Sequence, residues 1–365
     1  MGIDAEHRRM VMADWPDRRF LDLTGAEVPI VQAPMANFGG VALAAAAVRG
    51  GALGSLPCAV LSPHQAIVQA AEVRDAADGP INLNFFCHTL GPVPDDSAWR
   101  AALAPFYAEE GVTPGTPPPL RKPFDAAMAE MVEAVLPEVV SFHFGLPDAD
   151  LLARVKATGT AVFGCATTVE EARWLAERGV DAVIAQGAEA GGHAGWFLDR
   201  HRPTPLRELL AGIVAATDLP VIAAGGIVDA GGIATALNAG ASAVQIGTAY
   251  LPAPESLASA VHRAALGTAA ETVFTTLFTG REARGIRNRL IDTLGPTHPA
   301  VPPFPHASAA IAPLRAFAEA DARGDYSSLW SGTGGAAVRP EPAQSLTERL
   351  AAETLALLET SHVRA

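Results

Sequence analysis

The chain has 365 residues, 49% of them hydrophobic, and a formal net charge of −13, so it is long enough for one large α/β domain with an added lobe or for two ordinary domains. The acidic balance and the lack of a basic stripe exclude a nucleic-acid partner. The three scattered cysteines, Cys58, Cys87 and Cys165, exclude a disulfide framework and a CxxC metal pair, and they predict a reducing, cytoplasmic setting without a metal.

The first 23 residues contain no apolar signal core, and the longest apolar run, 41–48, is much shorter than a membrane span. The protein is therefore expected to be soluble, with no membrane partner. Small molecules remain as the expected partners, bound by a monomer or a homodimer.

Short runs rich in Val and Ile alternate along the chain with segments of helical period. The predicted strands are 29–35, 51–56, 81–86, 139–145, 160–166, 181–186, 220–225 and 243–251. The predicted helices are 41–48, 63–76, 124–136, 148–157, 169–178, 205–216, 230–239 and 255–266. Eight successive strand–helix units are typical of an α/β fold, the parallel (β/α)8 TIM barrel. A doubly wound open sheet is the alternative, and the count of eight favours the barrel.

Local signals support these boundaries. Thr168 and Glu171 have the spacing of a capping box at a helix start, and Gly179 and Gly240 stand where C-cap glycines belong. Two regions interrupt the alternation of strands and helices: 89–123, and about 271–306, which is predicted to be a helical appendage that ends in the Pro-rich, extended stretch 296–305. Residues 89–123 are predicted to form a loop insertion after the third strand, acting as a lid over the barrel mouth.

From residue 24 onwards, the sequence predicts three parts. The barrel is predicted to span 24–268, and 269–345 is predicted to be a smaller, mainly helical lobe on the substrate side, with a helix at 307–322. Residues 346–365 are expected to form a C-terminal helix, centred on 346–358, that packs on the barrel.

The most distinctive segment is the glycine-rich loop after the sixth strand, which runs from Gly187 to Gly195 and contains His193. Glycines let the backbone approach a flat ligand closely, and an imidazole held there suits proton chemistry near neutral pH. A lone histidine is more often structural, but the glycine loop favours a functional role. His193 could act as a base or as an electrostatic stabiliser.

Two glycine-rich turns follow the seventh and eighth strands, at Gly225-Gly226 and at Gly247-Thr248. The loops after these two strands often bind a terminal phosphate in barrels of this kind. The alternative is that the glycines only permit tight turns, but two such pairs on adjacent strands favour phosphate.

Polar residues inside apolar strands are further candidates. Asn82 and Asn84 lie in the third strand and Gln186 ends the sixth. Because buried amides need partners, Asn82 and Gln186 are predicted either to bind the edge of a flavin ring or to hydrogen-bond across the barrel. His143 is predicted to line a substrate pocket, or else to belong to a packed strand, because Phe142 and Phe144 flank it.

Several of these segments, in this order, resemble the nitronate monooxygenases, formerly called 2-nitropropane dioxygenases. The similar segments are Pro29–Met35, Val140–Gly145, Gly191–His193, Ala224–Ile227, Gln245–Thr248 and Phe278–Asn288, with a weaker echo at Leu329-Trp330. The resemblance covers about residues 29–289. It implies a barrel with non-covalent FMN that oxidises alkyl nitronates, such as propionate 3-nitronate, with O2 as electron acceptor.

By this resemblance His193 is the catalytic residue and His143 binds substrate. The resemblance also implies FMN contacts at Ala33, Pro34, Met35, Asn82, Gln186, Gly191, Gly192, Gly225, Gly226, Gln245, Ile246, Gly247 and Thr248. The chain departs from the family at 36–40 and has only three tyrosines, which concerns the substrate more than the cofactor.

Other functions fit parts of the same pattern. An FMN-dependent NAD(P)H:quinone reductase or enoyl-thioester reductase would share the barrel and the glycine–histidine loop. A flavin-free nucleotide-dependent barrel would need a catalytic loop cysteine, whereas Cys165 lies at the end of the fifth strand. A non-catalytic binding protein would have no need of His193.

Overall fold

The computed structural model describes residues 15–114, 120–268 and 270–362. Three parts of the predictions lie partly outside the described residues. They are the first 23 residues, which contain no apolar signal core, the 89–123 insertion and the last three residues of the predicted C-terminal helix. Within the described ranges, no helix combines the length and apolar character needed to cross a membrane.

Eight parallel strands form a closed ring, so the TIM-barrel prediction is confirmed. They are β1 (Ile30–Gln32), β2 (Gly54–Pro57), β3 (Ile81–Phe86), β4 (Val139–His143), β5 (Ala161–Ala166), β6 (Ala182–Gln186), β8 (Val221–Ala224) and β9 (Ala243–Ile246). The last strand pairs with the first, at Val31 and Gln245. The ring closes between β1 and β2, where Gln32 N donates to Leu53 O at 3.0 Å and Leu53 N donates to Ile30 O at 3.0 Å.

Helices surround the ring and continue into the C-terminal part of the chain. They are α1 (Arg19–Thr24), α2 (Val41–Arg49), α3 (Pro63–Ala76), α4 (Ser97–Glu110), α5 (Ala126–Val135), α6 (Ala149–Ala157), α7 (Val169–Glu177), α8 (Leu206–Val214), α9 (Ala230–Asn238), α10 (Ala260–Ala265), α11 (Arg289–Leu294), α12 (Ser308–Ala320) and α13 (Ala343–His362). Gly179 and Gly240 follow α7 and α9 with φ of 74° and 95°, as the predicted C-cap positions require.

Some predicted elements are longer than the observed ones. The first and last barrel strands end at Gln32 and Ile246 instead of 35 and 251, because the chain turns there into the loops of the barrel mouth. Thr248–Tyr250 is a short 3-10 turn, and the helix predicted from 255 begins at Ala260.

The 89–123 insertion is not entirely a loop, which corrects the prediction. It contains α4, whose Trp99 Nε1 donates to Ala307 O at 3.2 Å and whose Tyr107 hydroxyl donates to Ala310 O at 2.7 Å. The helix therefore packs on α12 of the C-terminal region. The proline inside α4, Pro105, and the Pro-rich flanks obscured its helical period.

The C-terminal region contains strands as well as helices. β10 (Thr272–Thr275) pairs with β11 (Ala283–Ile286), and β11 pairs with β7 (Gly192–His193) in a small antiparallel sheet. His193 lies opposite Ala283 in this pairing. The region beyond the barrel is thus joined directly to the histidine loop, and the domain limits given above stay a prediction.

The long helix α13 lies on the outside of the barrel. Its Thr347 hydroxyl contacts the Tyr250 hydroxyl at 2.7 Å, and a Cβ on Gly50, at the end of α2, would lie 2.6 Å from Thr347 Cβ. The helix thus packs against the wall of the barrel.

We expect Glu110→Gln to lower the free energy of unfolding at pH 7 by about 1–2 kcal/mol, because the substitution weakens hydrogen bonds to a charged group. Glu110 ends α4 and accepts from Arg323 Nη2 at 2.7 Å and from the Tyr326 hydroxyl at 2.8 Å. The Arg323 guanidinium and then the Tyr326 hydroxyl lower the pKa of Glu110 to about 2.

A depressed carboxyl pKa contributes stability that is present above the unfolded pKa, about 4.5, and is lost as pH falls towards 2. Urea unfolding at several pH values should therefore show the difference from wild type shrinking below pH 4.5. The neighbouring Glu109→Gln, whose side chain is 58% exposed, is the matched control. An equal loss in both variants would contradict the prediction.

Candidate active site

A cleft opens at the carboxyl ends of the barrel strands, where enzymes of this fold place their sites. Its volume is about 1190 Å³, counting the part open to solvent. Thirteen of the fifteen residues predicted for the site line it: Ala33, Pro34, Met35, His143, Gln186, Gly191, Gly192, His193, Gly225, Gly226, Gln245, Gly247 and Thr248.

Asn82 and Ile246 do not line the cleft, which corrects two predicted contacts. Asn82 is 1% exposed and donates to Ser55 Oγ at 3.0 Å, as the cross-barrel alternative described. Asn84 points the same way but lies two residues, about 7 Å, nearer the mouth, and it lines the cleft. Ile246 is fully buried in the barrel wall, because it alternates with Gln245 along β9.

Gln186 holds the histidine loop from below. Its Nε2 donates to His193 O at 2.9 Å, and its Oε1 accepts from Gly195 N at 2.7 Å. One carboxamide therefore binds the backbone at His193 and two residues after it. The side chain still lines the cleft, so one N–H of the amide remains for a ligand.

The His193 imidazole is fixed at one nitrogen. Its Nε2 lies 2.9 Å from Thr279 Oγ1, and the same hydroxyl lies 3.3 Å from Arg281 O. If the hydroxyl proton goes to the carbonyl, Thr279 accepts from His193 Nε2–H, which leaves Nδ1 unprotonated. That tautomer presents a base to the site.

His143 lies beneath the same loop. Its Nε2 is 3.3 Å from His193 O, and since a carbonyl only accepts, this nitrogen carries the proton. Burial lowers the pKa of His143 to about 4, helped by the charge of Arg281. His143 is therefore neutral at pH 7, and it supports the loop as well as lining the cleft.

An aromatic wall surrounds the two histidines. The rings of Phe86, Phe144, Phe304 and Trp330 all have centroids within 6.2 Å of the His193 ring. Phe304 and Trp330 come from the C-terminal region, so the wall is completed by residues far from the barrel in sequence. It places apolar surface beside the imidazole.

The site favours an uncharged His193. Burial lowers the pKa of His193 well below its usual value, and the positive charges of Arg121 and Arg281 and the neighbouring His143 and His88 lower it further. His193 is therefore neutral at physiological pH. Of the two roles left open by the sequence, a proton acceptor fits this protonation state.

Two cavities share a cationic residue that the sequence analysis missed. Arg121 lines the cleft and also a second cavity beside it, which is lined by Arg315 as well. Neither guanidinium has a carboxylate within 4.0 Å in the described parts of the chain. Burial and the charge of Arg315 lower the pKa of Arg121. Two arginines that line one cavity, neither in an ion pair, favour an anion there, although Glu319 lines the same cavity.

The turn after β8 depends on its glycines, whereas Gly247 after β9 has an ordinary φ of −113°. Gly225 and Gly226 have φ of 127° and 71°, which side chains with a Cβ rarely adopt. A third segment, 331–335, meets them and was missed: Gly332 N donates to Thr248 Oγ1 at 3.0 Å. A Cβ on Gly334 would lie 2.9 Å from Gly226 O. The Gly332-Thr333-Gly334-Gly335 composition was the available signal.

Cys165 lies at the cleft, but its chemistry argues against a nucleophile. Burial, and to a lesser extent the charge of Glu171, raises the pKa of the Cys165 thiol well above its usual range. The thiol is therefore protonated at neutral pH. Across the described ranges, no three His, Cys, Asp or Glu side chains are grouped so as to hold a metal ion.

Comparison with known proteins places this architecture in a family. A family model described as nitronate monooxygenase matches residues 18–353. The nitronate monooxygenase of Pseudomonas aeruginosa is 40% identical over 347 residues, covering 92% of this chain and 98% of that protein. The one from Paraburkholderia phytofirmans is 40% identical over 354 residues, covering 92% and 94%.

Solved structures agree. The nitroalkane oxidase from Streptomyces ansochromogenes superposes with a TM-score of 0.86 at 37% identity, covering 94% of this chain and 99% of that chain. FabK from Thermotoga maritima superposes with a TM-score of 0.72 at 24% identity, covering 97% and 100%. The second likeness shows the fold alone.

Substituting Arg121→Met should raise the pKa of His193, because it removes the positive charge that contributes most to lowering it after burial. NMR titration of the histidine Cε1–H signals, assigned with His193→Asn, measures this directly. Arg121→Lys keeps the charge and is the control, with a His193 pKa close to that of wild type. An unchanged His193 pKa in Arg121→Met would refute the electrostatic explanation.

Proposed function

The chain belongs to the nitronate monooxygenase family, a family of oxidoreductases, and on this premise we propose that it oxidises alkyl nitronates with non-covalent FMN as cofactor and O2 as electron acceptor. The main observation behind the proposal is the cleft around His193. His193 is neutral and surrounded by aromatic rings, and the same cleft is lined by Arg121, which forms no ion pair among the described residues. This combination suits an anionic substrate and proton transfer to or from carbon.

The residues present fit a flavin phosphate. The cleft offers glycine backbone at Gly225, Gly226 and Gly247 without side chains to fill it, and the Thr248 hydroxyl beside them. Gln245 Oε1 is buried without a hydrogen-bond partner among the described residues, so it is available to a donor on a ring edge. We propose that the residues of the cleft hold the ring at Ala33–Met35 and Asn84, and the phosphate at Gly226 and Gly247-Thr248.

When bound, FMN supplies the electron transfer from substrate to O2. The protein supplies position and proton control. With nitroalkanes, His193 Nδ1 is proposed to take the α-proton while Nε2–H is held by Thr279 Oγ1. With nitronates, which have already lost that proton, the positive charges of Arg121 and Arg281 balance the anion. The aromatic wall excludes water around the imidazole.

The second cavity points to a nitronate with an additional negative group, such as propionate 3-nitronate. Arg121 lines both cavities, so one substrate can place its nitronate near His193 and its carboxylate between Arg121 and Arg315. Glu319 also lines the second cavity; its Oε1 accepts from Ser327 Oγ at 2.6 Å, and it forms no ion pair with Arg121 or Arg315 among the described residues. We further propose a cytoplasmic setting and a monomer or homodimer, on the composition described above.

Mixing the FMN-loaded enzyme anaerobically with propionate 3-nitronate should bleach the flavin absorbance rapidly, whereas NADH should leave it oxidised. Propyl-1-nitronate lacks the carboxylate and cannot form one charge-assisted hydrogen bond to arginine. Its KM should therefore be at least about tenfold higher than that of propionate 3-nitronate. Arg315→Met should remove this difference between the two substrates. Rapid bleaching by NADH alone would favour the reductase alternative and overturn the proposal.

His193→Asn should retain FMN but lower kcat by at least about 100-fold with a nitroalkane substrate, because it removes the general base. Flavin content is read from the absorbance spectrum and turnover from O2 consumption. Thr279→Ala is a second variant for comparison, since it removes the hydrogen-bond partner of His193 Nε2 and keeps the imidazole. Wild-type turnover of a nitroalkane by His193→Asn would refute the catalytic assignment.

A further inference from the structure

The predicted capping box at the start of α7 is only half formed. Thr168 Oγ1 accepts from Glu171 N at 3.1 Å, as the motif requires. The Glu171 carboxylate does not accept the second hydrogen bond of the motif, from the backbone N–H of Thr168. Its Oε2 accepts instead from Thr167 N at 2.7 Å and from Thr167 Oγ1 at 2.9 Å.

The second oxygen of Glu171 reaches another part of the chain. Oε1 accepts from Phe197 N at 2.6 Å and from Leu198 N at 3.3 Å. These two amides follow the glycine-rich loop, four and five residues after His193. Glu171 is 2% exposed and does not line the cleft. A buried carboxylate is costly unless its oxygens are satisfied, and here four donors satisfy it.

The same peptide unit is held from its other side by a cation. The Arg281 guanidinium donates to Trp196 O, while the adjoining Phe197 N donates to Glu171. Arg281 also stacks on the rings of Phe144 and Trp196, with its central carbon 4.2 Å and 4.1 Å from the ring centroids. The Trp196–Phe197 peptide therefore lies between a positive and a negative side chain, each charge-assisted in its hydrogen bond.

We propose that Glu171 is a positioning residue for His193: it anchors the exit of the histidine loop by holding the Trp196–Phe197 peptide against Arg281. Gln186 fixes the loop at His193 O and Gly195 N, and Glu171 fixes the chain just after it, at the amides of 197 and 198. Without this second anchor, a loop made mostly of glycine and alanine between 187 and 195 has little side-chain packing to limit its motion. The inference rests on the proposed catalytic role of His193.

The test compares Glu171→Gln with Glu170→Gln, the preceding residue on the same helix, whose side chain is exposed. In Glu171→Gln the new side-chain NH2 group would face N–H and O–H donors, so one pair of hydrogen bonds is lost. In the FMN-loaded variant, amide exchange at 197–198 should be at least about tenfold faster than in wild type. With a nitroalkane, whose α-proton His193 is proposed to accept, kcat should fall about tenfold while KM and the FMN dissociation constant stay within about threefold.

Exchange and kcat values in Glu171→Gln equal to those of Glu170→Gln would overturn the proposal, and so would faster exchange with an unchanged kcat. Glu171→Asp replaces Glu171→Gln if the latter does not fold. It keeps the charge but is too short to span both donor pairs, so faster exchange at 197–198 supports the anchor and wild-type exchange refutes it. If the wild-type enzyme does not oxidise nitronates, the proposed function is refuted. The comparison of amide exchange at 197–198 would still test whether Glu171 anchors the loop.

Discussion

The glycine-rich loop after β6 has too few side chains to hold its own shape, and the candidate site depends on the groups that hold it from outside. Gln186 binds the backbone at His193 O and at Gly195 N, and His143 Nε2 lies near the same His193 carbonyl. Pairing of β7 with β11 fixes the loop edge. Flexible backbone gives room for a flat ligand, and these external bonds supply the precision that proton transfer needs.

The electrostatics of the cleft follow from burial beside unpaired cations. Burial alone favours neutral imidazoles, and the charges of Arg121 and Arg281 lower the proton affinity of His193 further. A protein with a net charge of −13 thus concentrates positive charge at one point. Such a field favours a bound anion and an unprotonated imidazole together, which is the combination that the proposed function requires.

The barrel alone does not complete the site. Phe304 and Trp330 finish the aromatic wall, Thr279 holds the imidazole, and the 331–335 segment lies against the turns after β8 and β9. The insertion helix α4 packs on α12, and Arg121 follows this helix in the chain. The barrel therefore supplies the floor of the cleft, and the added segments supply much of what surrounds His193.

The sequence by itself determined the barrel, the helix boundaries at Gly179 and Gly240, and thirteen of the residues that line the cleft. These features depend on local periodicity and turn chemistry, which neighbouring residues encode. Only the tertiary structure decided that Asn84 rather than Asn82 reaches the mouth, because both share one strand face and differ only in depth. It alone revealed Arg121 in the cleft, helix α4 and the contacts of the Glu171 carboxylate, because each depends on which distant segments meet in the folded chain.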